Sequence, residues 1–139
     1  MPQVPTARLD WHDGGVIVVD AANVVGSRPD GWWKDRAGAA RRLVAEIAAA
    51  VEDGRLEEEV VVVLEGAARD GVGEGPAGDR VEVVHAGGEG DVTIVEVARQ
   101  ALEEGEVVVV TADRVLSSTT SARGASVRGP RWLWEKLDR

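Results

Sequence analysis

The chain has 139 residues, a formal net charge of −9 and no cysteine. This length predicts one domain with a core large enough to need no disulfide or structural metal, and the absence of cysteine excludes disulfide bonds and thiolate metal sites. No apolar run approaches the roughly 20 residues of a membrane-spanning helix and the first residues lack a signal-peptide pattern, so we expect a cytoplasmic protein with no membrane partner.

Predicted strands and helices alternate along the chain. A polar lead at residues 1–14 precedes an apolar, β-branched run at 16–19, which is typical of a strand buried on both faces and ends at Asp20. The further elements, in order, are a helix at 35–53, a strand at 59–64, a Gly-rich loop at 66–78, a strand at 80–85, a helix at 91–104, a strand at 107–110, a short helix after residue 113, a strand at 125–127 and a helix at 130–137. Strands separated by helices predict a mostly parallel sheet with right-handed crossovers.

Acidic residues follow the predicted strands. Asp20 and Glu65 end the first two strands, Asp91 opens the helix after the third, and Asp113 lies just beyond the fourth. The carboxyl ends of parallel strands open onto one ligand crevice, so these carboxylates should converge there, and converging carboxylates repel one another unless a cation lies between them. The pattern therefore predicts a Mg²⁺ or Mn²⁺ site, which is suited to orienting a water molecule for attack on a phosphodiester.

Each of these acids also has a structural interpretation. Asp91 and Asp113 stand where a helix N-cap is wanted, and Glu65 is equally compatible with a solvated strand end. Asp35, at the start of the first long helix, complements the helix dipole. Asp20 ends a buried strand with no predicted helix to cap, and burying it unpaired would be costly, so it is the strongest candidate for a functional acid.

Three motifs occur in order between residues 16 and 127, and together they resemble a known family. They are VVDAAN at 18–23, GEGDVTI at 88–94 and VVTADR at 109–114. The first is similar to an Asp-Gly-x-Asn opening with Ala21 in place of Gly, the second to an acidic helix start with Ile three residues on, and the third to Thr-Ser-Asp-Arg. These are motifs of the NYN branch of the PIN-like nucleases, especially its YacP-like members.

The resemblance implies a fold and an activity. The fold is a single-domain, three-layer α/β/α sandwich with a mostly parallel sheet, PIN-like, over residues 15–139. The activity is that of a metal-dependent endoribonuclease using Mg²⁺ or Mn²⁺ and a water nucleophile, with no covalent enzyme intermediate. The family roles carried over are metal-binding catalytic acids at Asp20, Asp91 and Asp113, and at Asn23 an amide that orients the first Asp or its water.

Two departures from the family pattern thin the expected acid cluster. Many relatives have a second acid beside the Asp91 position, where this chain has Gly90 and Val92, and some have one about four residues beyond Asp113, where this chain has Ser117. Glu65 and Asp35 are therefore candidates for additional acids.

RNA binding by an acidic chain requires a local basic surface, because phosphate contacts need Lys or Arg. The candidate RNA contacts are Arg28, Trp32, Lys34, Arg36 and Arg114. The Trp pair at 32–33 is suited to stacking on unpaired bases of single-stranded RNA, although at least one ring is also expected to cover the sheet or a helix. A ribosome or another protein is a further candidate partner, and the composition, without Phe or Tyr, is typical of a bacterial protein.

Other interpretations make distinct demands on the sequence. A receiver-like phosphoacceptor domain needs a Lys after a late strand, which TADR at 111–114 does not supply, and a Toprim-like domain needs an Asp-x-Asp that follows no later strand here. The remaining alternative is a catalytically degenerate NYN domain that binds RNA or a protein without cutting.

Overall fold

The computed structural model describes residues 15–138 and places a six-stranded sheet at their centre. The predicted polar lead at 1–14 and residue 139 lie outside the described residues. The strands are β1 (Val16–Asp20), β2 (Glu59–Leu64), β3 (Gly75–Pro76), β4 (Val81–His85), β5 (Val107–Val110) and β6 (Ser126–Arg128). Their order is β3-β4-β2-β1-β5-β6, and every neighbouring pair is parallel except β3 with β4.

Helices cover both faces of this sheet. They are α1 (Ala21–Gly26), α2 (Arg36–Glu52), α3 (Gly90–Leu102), α4 (Arg114–Ala122) and α5 (Pro130–Leu137). Successive side chains of a strand point to opposite faces, so Ile17 and Val19 pack with α1, α2 and α5, while Val16 and Val18 pack with α3 and α4. The predicted three-layer α/β/α architecture with a mostly parallel sheet is confirmed.

One α-helix and one strand were not predicted from the sequence. Helix α1 has only six residues and begins directly after β1, too short a segment for a helical period to stand out. Strand β3 has two residues within the Gly-rich segment 66–78, and it exists because Gly75 and Pro76 pair with β4. The same segment contains a 3-10 turn at Gly66–Asp70, so it is more ordered than the expected loop.

The position of β1 decides what can meet at the sheet edge. It lies between β2 and β5, with Asp20 opposite Val63 and Val19 opposite Val110. The residues that follow β2 and β5 therefore flank Asp20. Within residues 15–138, no helix is long and apolar enough to cross a membrane.

Candidate active site

Asp20 is a buried carboxylate held by two hydrogen bonds. It is 7% exposed. Its Oδ1 accepts a hydrogen bond from the backbone N–H of Asn23 (3.3 Å), and its Oδ2 accepts one from the hydroxyl of Thr111 (2.8 Å). Asp20 is thus the N-cap of α1, and the expectation that it has no helix to cap is wrong because this short helix was not predicted. Capping uses only one of its oxygens, so the second serves the contact between β1 and the end of β5.

A hydrogen-bond network ties the ends of β1 and β5 together. The side-chain Oδ1 of Asn23 accepts from the backbone N–H of Ala112 (2.9 Å), and the hydroxyl oxygen of Thr111 accepts from the N–H of Asp113 (3.1 Å). Asp113 in turn caps α4, with Oδ1 accepting from the N–H of Leu116 (2.9 Å). Asn23 therefore contacts Asp20 through its backbone, while its side-chain amide fixes the loop that carries Asp113.

Burial and the neighbouring negative charges favour the protonated form of Asp20. Burial is the main reason that the pKa of Asp20 is raised above its ordinary value. The hydrogen bonds from Thr111 and Asn23 lower this pKa, and the negative charges of Glu65 and Asp113 raise it. The carboxylates of Glu65 and Asp113, which follow the two strands beside β1, thus both act on Asp20 at this edge.

Glu65 lies between Asp20 and the start of α3. It is half-buried at the end of β2. A Cβ atom added to the buried Gly90 would come 2.9 Å from Glu65 Oε1, so the carboxylate rests against the first residue of α3. Only a residue without a side chain leaves room for the carboxylate there.

Asp91 and Asp35 are placed differently from these three acids. Asp91 is exposed, its Oδ1 accepts from the N–H of Val92 (3.0 Å), and it lines a groove between α3 and α4. Asp35 caps α2, with Oδ1 accepting from the N–H of Gly38 (2.9 Å). Glu65 and Asp113 thus act on the charge of Asp20, while Asp91 lines the groove between α3 and α4 and Asp35 lies at the start of α2.

Aromatic and basic side chains adjoin this edge on the α1 side. Trp32 is half-buried, and the guanidinium carbon of Arg36 lies 5.2 Å from its ring centroid. Trp33 is 53% exposed and meets Trp32 edge to face, with 6.0 Å between centroids. Lys34 and Arg36 are exposed, so they are accessible to a phosphate.

The other two candidate RNA contacts, Arg28 and Arg114, differ in whether their side chains are already engaged by the protein. Arg28 lies 3.7 Å from the ring centroid of Trp134 and forms an ion pair with Asp138 (2.7 Å), so it joins α1 to α5 and its terminal segment. Arg114 is exposed at the first residue of α4, directly after Asp113. Of the two, Arg114 is the one next to the acids.

The comparisons with known proteins decide the family. The model of the YacP-like NYN domain matches residues 17–139. The chain belongs to the YacP-like NYN domain family. Its structure is similar to that of Rae1 (YacP) from Bacillus subtilis, with a TM-score of 0.70 and 23% identity over 88% of this chain and 73% of that one. The W164L mutant of the same protein matches with a TM-score of 0.70 and 20% identity over 89% and 75% of the two chains. At these identities the likeness shows the fold, and no curated protein matches.

The acidic side chains of this NYN domain are the type of ligand that a hard divalent cation binds. Within residues 15–138, no three Asp, Glu, His or Cys side chains are already arranged as a group that could hold a metal ion. Carboxylate oxygens are nevertheless the donors that Mg²⁺ and Mn²⁺ take, and such an ion would offset the negative charges of Glu65 and Asp113 that act on Asp20. Mg²⁺ commonly keeps several waters and binds through one or two carboxylates together with substrate phosphate, so a complete protein cage is not required.

The NYN site also contains a residue to which the sequence had assigned no role. Thr111 is buried, and its hydroxyl donates to Asp20 and accepts from the N–H of Asp113. The available signal was its position inside VVTADR at 109–114, where a hydroxyl side chain directly follows a buried strand. Thr111 connects the two acids that stand at the ends of β1 and β5.

Proposed function

We propose that this NYN domain is a metal-dependent endoribonuclease that hydrolyses phosphodiester bonds of single-stranded RNA with Mg²⁺ or Mn²⁺. The observation that carries the proposal is the setting of Asp20. It is a buried carboxylate at the end of the central strand, held by Thr111 and the N–H of Asn23, with the charges of Glu65 and Asp113 acting on it. A fold keeps a buried acid with a raised pKa in a crevice most often where chemistry needs it.

Each residue of this group has a proposed task. Asp20 and Asp113 would hold the metal, and Asp91 keeps the ligand role that the family resemblance gives it. When bound, the ion would polarise a water and offset charge on the phosphodiester. Thr111 and the backbone N–H of Asn23 position Asp20, and Glu65 would accept the proton of the attacking water.

The reaction is a hydrolysis. The water oxygen forms the new bond to phosphorus, the bond from phosphorus to the leaving ribose oxygen breaks, and that oxygen takes up a proton. Lys34, Arg36 and Arg114 are exposed near this edge and would hold the RNA backbone despite the acidic chain. The half-buried ring of Trp32 favours single-stranded RNA, because only an unpaired base can stack on it.

The test compares one substitution with a matched control. A labelled single-stranded RNA is incubated with the wild type, Asp20→Asn and Asp79→Asn in Mn²⁺, Mg²⁺ or EDTA. Asp79 is exposed and precedes β4, so it lies at the opposite edge of the sheet. We expect cleavage with either metal, none in EDTA, a loss of at least about 100-fold in Asp20→Asn and no change in Asp79→Asn. Cleavage by Asp20→Asn at the wild-type rate would overturn the proposal.

One observation favours the second candidate, a degenerate NYN domain that binds RNA or a protein. Within the described part of the chain, no group of three acidic or histidine side chains is ready to hold a metal. Under this alternative the protein binds the labelled RNA with no turnover in Mn²⁺, and Asp20→Asn binds as the wild type does. The same assay thus separates the two functions.

A further inference from the structure

A groove opens beside the acids, on the face covered by α1 and α2. Its volume is about 270 Å³. The lining includes Ala21, Ala22, Trp32, Arg36, Ala40 and Glu65. An engineered cavity of about 150 Å³ holds a benzene molecule, so this groove has room for one nucleobase.

The groove and the acid group are continuous. Ala21 follows Asp20 directly in the chain and begins α1, and Glu65 both lines the groove and acts on the charge of Asp20. A molecule seated in the groove would therefore lie next to a phosphate bound at Asp20. In a single RNA strand, each base likewise lies within one or two nucleotides of a backbone phosphate.

The lining suits a flat ring better than a chain of polar groups. The alanine side chains form an apolar wall, while Trp32 and Arg36 contribute an aromatic ring and a planar guanidinium. Unpaired bases stack on both kinds of surface. Arg36 and Glu65 are the charged side chains of this lining, and the alanine side chains around them offer a base no hydrogen bond.

We propose that this groove is a stacking subsite that takes one unpaired base beside the phosphate to be cut and accepts all four bases. The inference rests on the proposed function, because the nuclease reaction supplies the phosphate at Asp20. It adds that the base is recognised as a flat surface and that Trp32, not the more exposed Trp33, is the residue that contacts it. Stacking on an aromatic side chain is tolerant of sequence because every base has a π-face.

The first experiment follows the tryptophan indole N–H signals by NMR. The wild type is titrated in excess Mg²⁺ with AMP, CMP, GMP and UMP, and with ribose 5-phosphate as the control without a base. We expect all four nucleotides to shift the Trp32 signal, assigned with Trp32→Phe, and ribose 5-phosphate to leave it in place. An unmoved Trp32 signal, or an equal shift with ribose 5-phosphate, would overturn the subsite.

The second experiment measures binding of a labelled octaribonucleotide in Ca²⁺ by fluorescence anisotropy. Loss of one stacked base is worth roughly 1–3 kcal/mol, so Trp32→Ala should raise Kd by about 5- to 150-fold. Trp33→Ala is the matched control and should raise Kd less than about twofold, because Trp33 is exposed and does not line the groove. Trp32→Phe keeps a ring and should recover most of the affinity, which distinguishes lost stacking from a lost fold. Equal effects of Trp32→Ala and Trp33→Ala would contradict the inference.

The two proposals fail in different ways. RNA cleavage in Mn²⁺ with no response at Trp32 would overturn the subsite and leave the nuclease standing. A base-dependent response at Trp32 without cleavage would support the subsite and overturn the nuclease.

Discussion

Replacing Asp20 with Asn should make the protein more stable at neutral pH while abolishing cleavage. The carboxylate is 7% exposed, and burial raises its pKa above the ordinary 3.8 despite the hydrogen bonds from Thr111 and Asn23. The native state therefore holds a proton more tightly than the unfolded chain does. Between the two pKa values the native state binds more protons, so stability falls as pH rises through that window and stays lower above it.

The gain in unfolding free energy depends on the hydrogen bonds that Asn keeps and on the buried charge that it removes. The amide has nearly the same shape and can still accept from Asn23, and the Thr111 hydroxyl can turn to accept from the amide nitrogen. Each tenfold difference in proton affinity between the two states corresponds to about 1.36 kcal/mol. We expect a net gain in unfolding free energy, because removing the buried charge outweighs the weaker hydrogen bonds of the neutral amide. For a domain of this length, each kcal/mol gained raises Tm by about 3–5 °C.

The measurement is thermal unfolding of wild type and Asp20→Asn at about pH 3 and about pH 7.5, the first below the ordinary pKa and the second in the neutral range. The two proteins should differ least at the lower pH, where Asp20 is protonated in both states, and the variant should melt higher at neutral pH. Asp79→Asn, at an exposed position, should match the wild type at both. A variant that melts at or below the wild type at neutral pH would refute the reasoning, because the hydrogen bonds would then outweigh the burial of the charge.

Three further substitutions test the neighbours of this carboxylate. Thr111→Val should lower the unfolding free energy by about 1–3 kcal/mol, since it leaves Asp20 Oδ2 without its hydrogen bond. It should also move the acidic limb of the pH–rate profile to higher pH, because the hydroxyl lowers the pKa of Asp20. Gly90→Ala should displace the Glu65 carboxylate and so reduce kcat. Tm should change little, because Ala is the better helix former. An unchanged kcat would show that Glu65 takes no part in the reaction. Asp35→Ala should lower the unfolding free energy by about 1 kcal/mol through loss of the α2 cap, with RNA cleavage per folded molecule unchanged; a loss of cleavage would instead place Asp35 in the site.

The sequence alone determined the elements whose signal is local. The apolar run at 16–19, the helical spacing within α2 and α3, and the Val-rich strands β2 and β5 are all where the pattern predicts them. These segments are read correctly because burial of one face imposes a period on neighbouring residues, and burial of both faces imposes a continuous apolar run. The alternation of strands and helices likewise determined the parallel sheet, and with it the edge at which the strand-end acids gather.

Only the tertiary structure decided which acids share that edge and how they are held. Strand order places β1 between β2 and β5, which brings Glu65 and Asp113 toward Asp20 and pairs Asp20 with Thr111 across 91 positions of sequence. Spacing along the chain cannot give the direction of a side chain at a helix start, and the structure places the exposed Asp91 in the groove between α3 and α4. Asp20 caps the short helix α1, and this helix is stabilised by packing against the sheet and α2 more than by any period in its six residues. The hydrophobic pattern predicts helices and strands because it depends on residues that are adjacent in the sequence. The site, by contrast, is built from residues that are distant in the sequence and meet only in the folded protein.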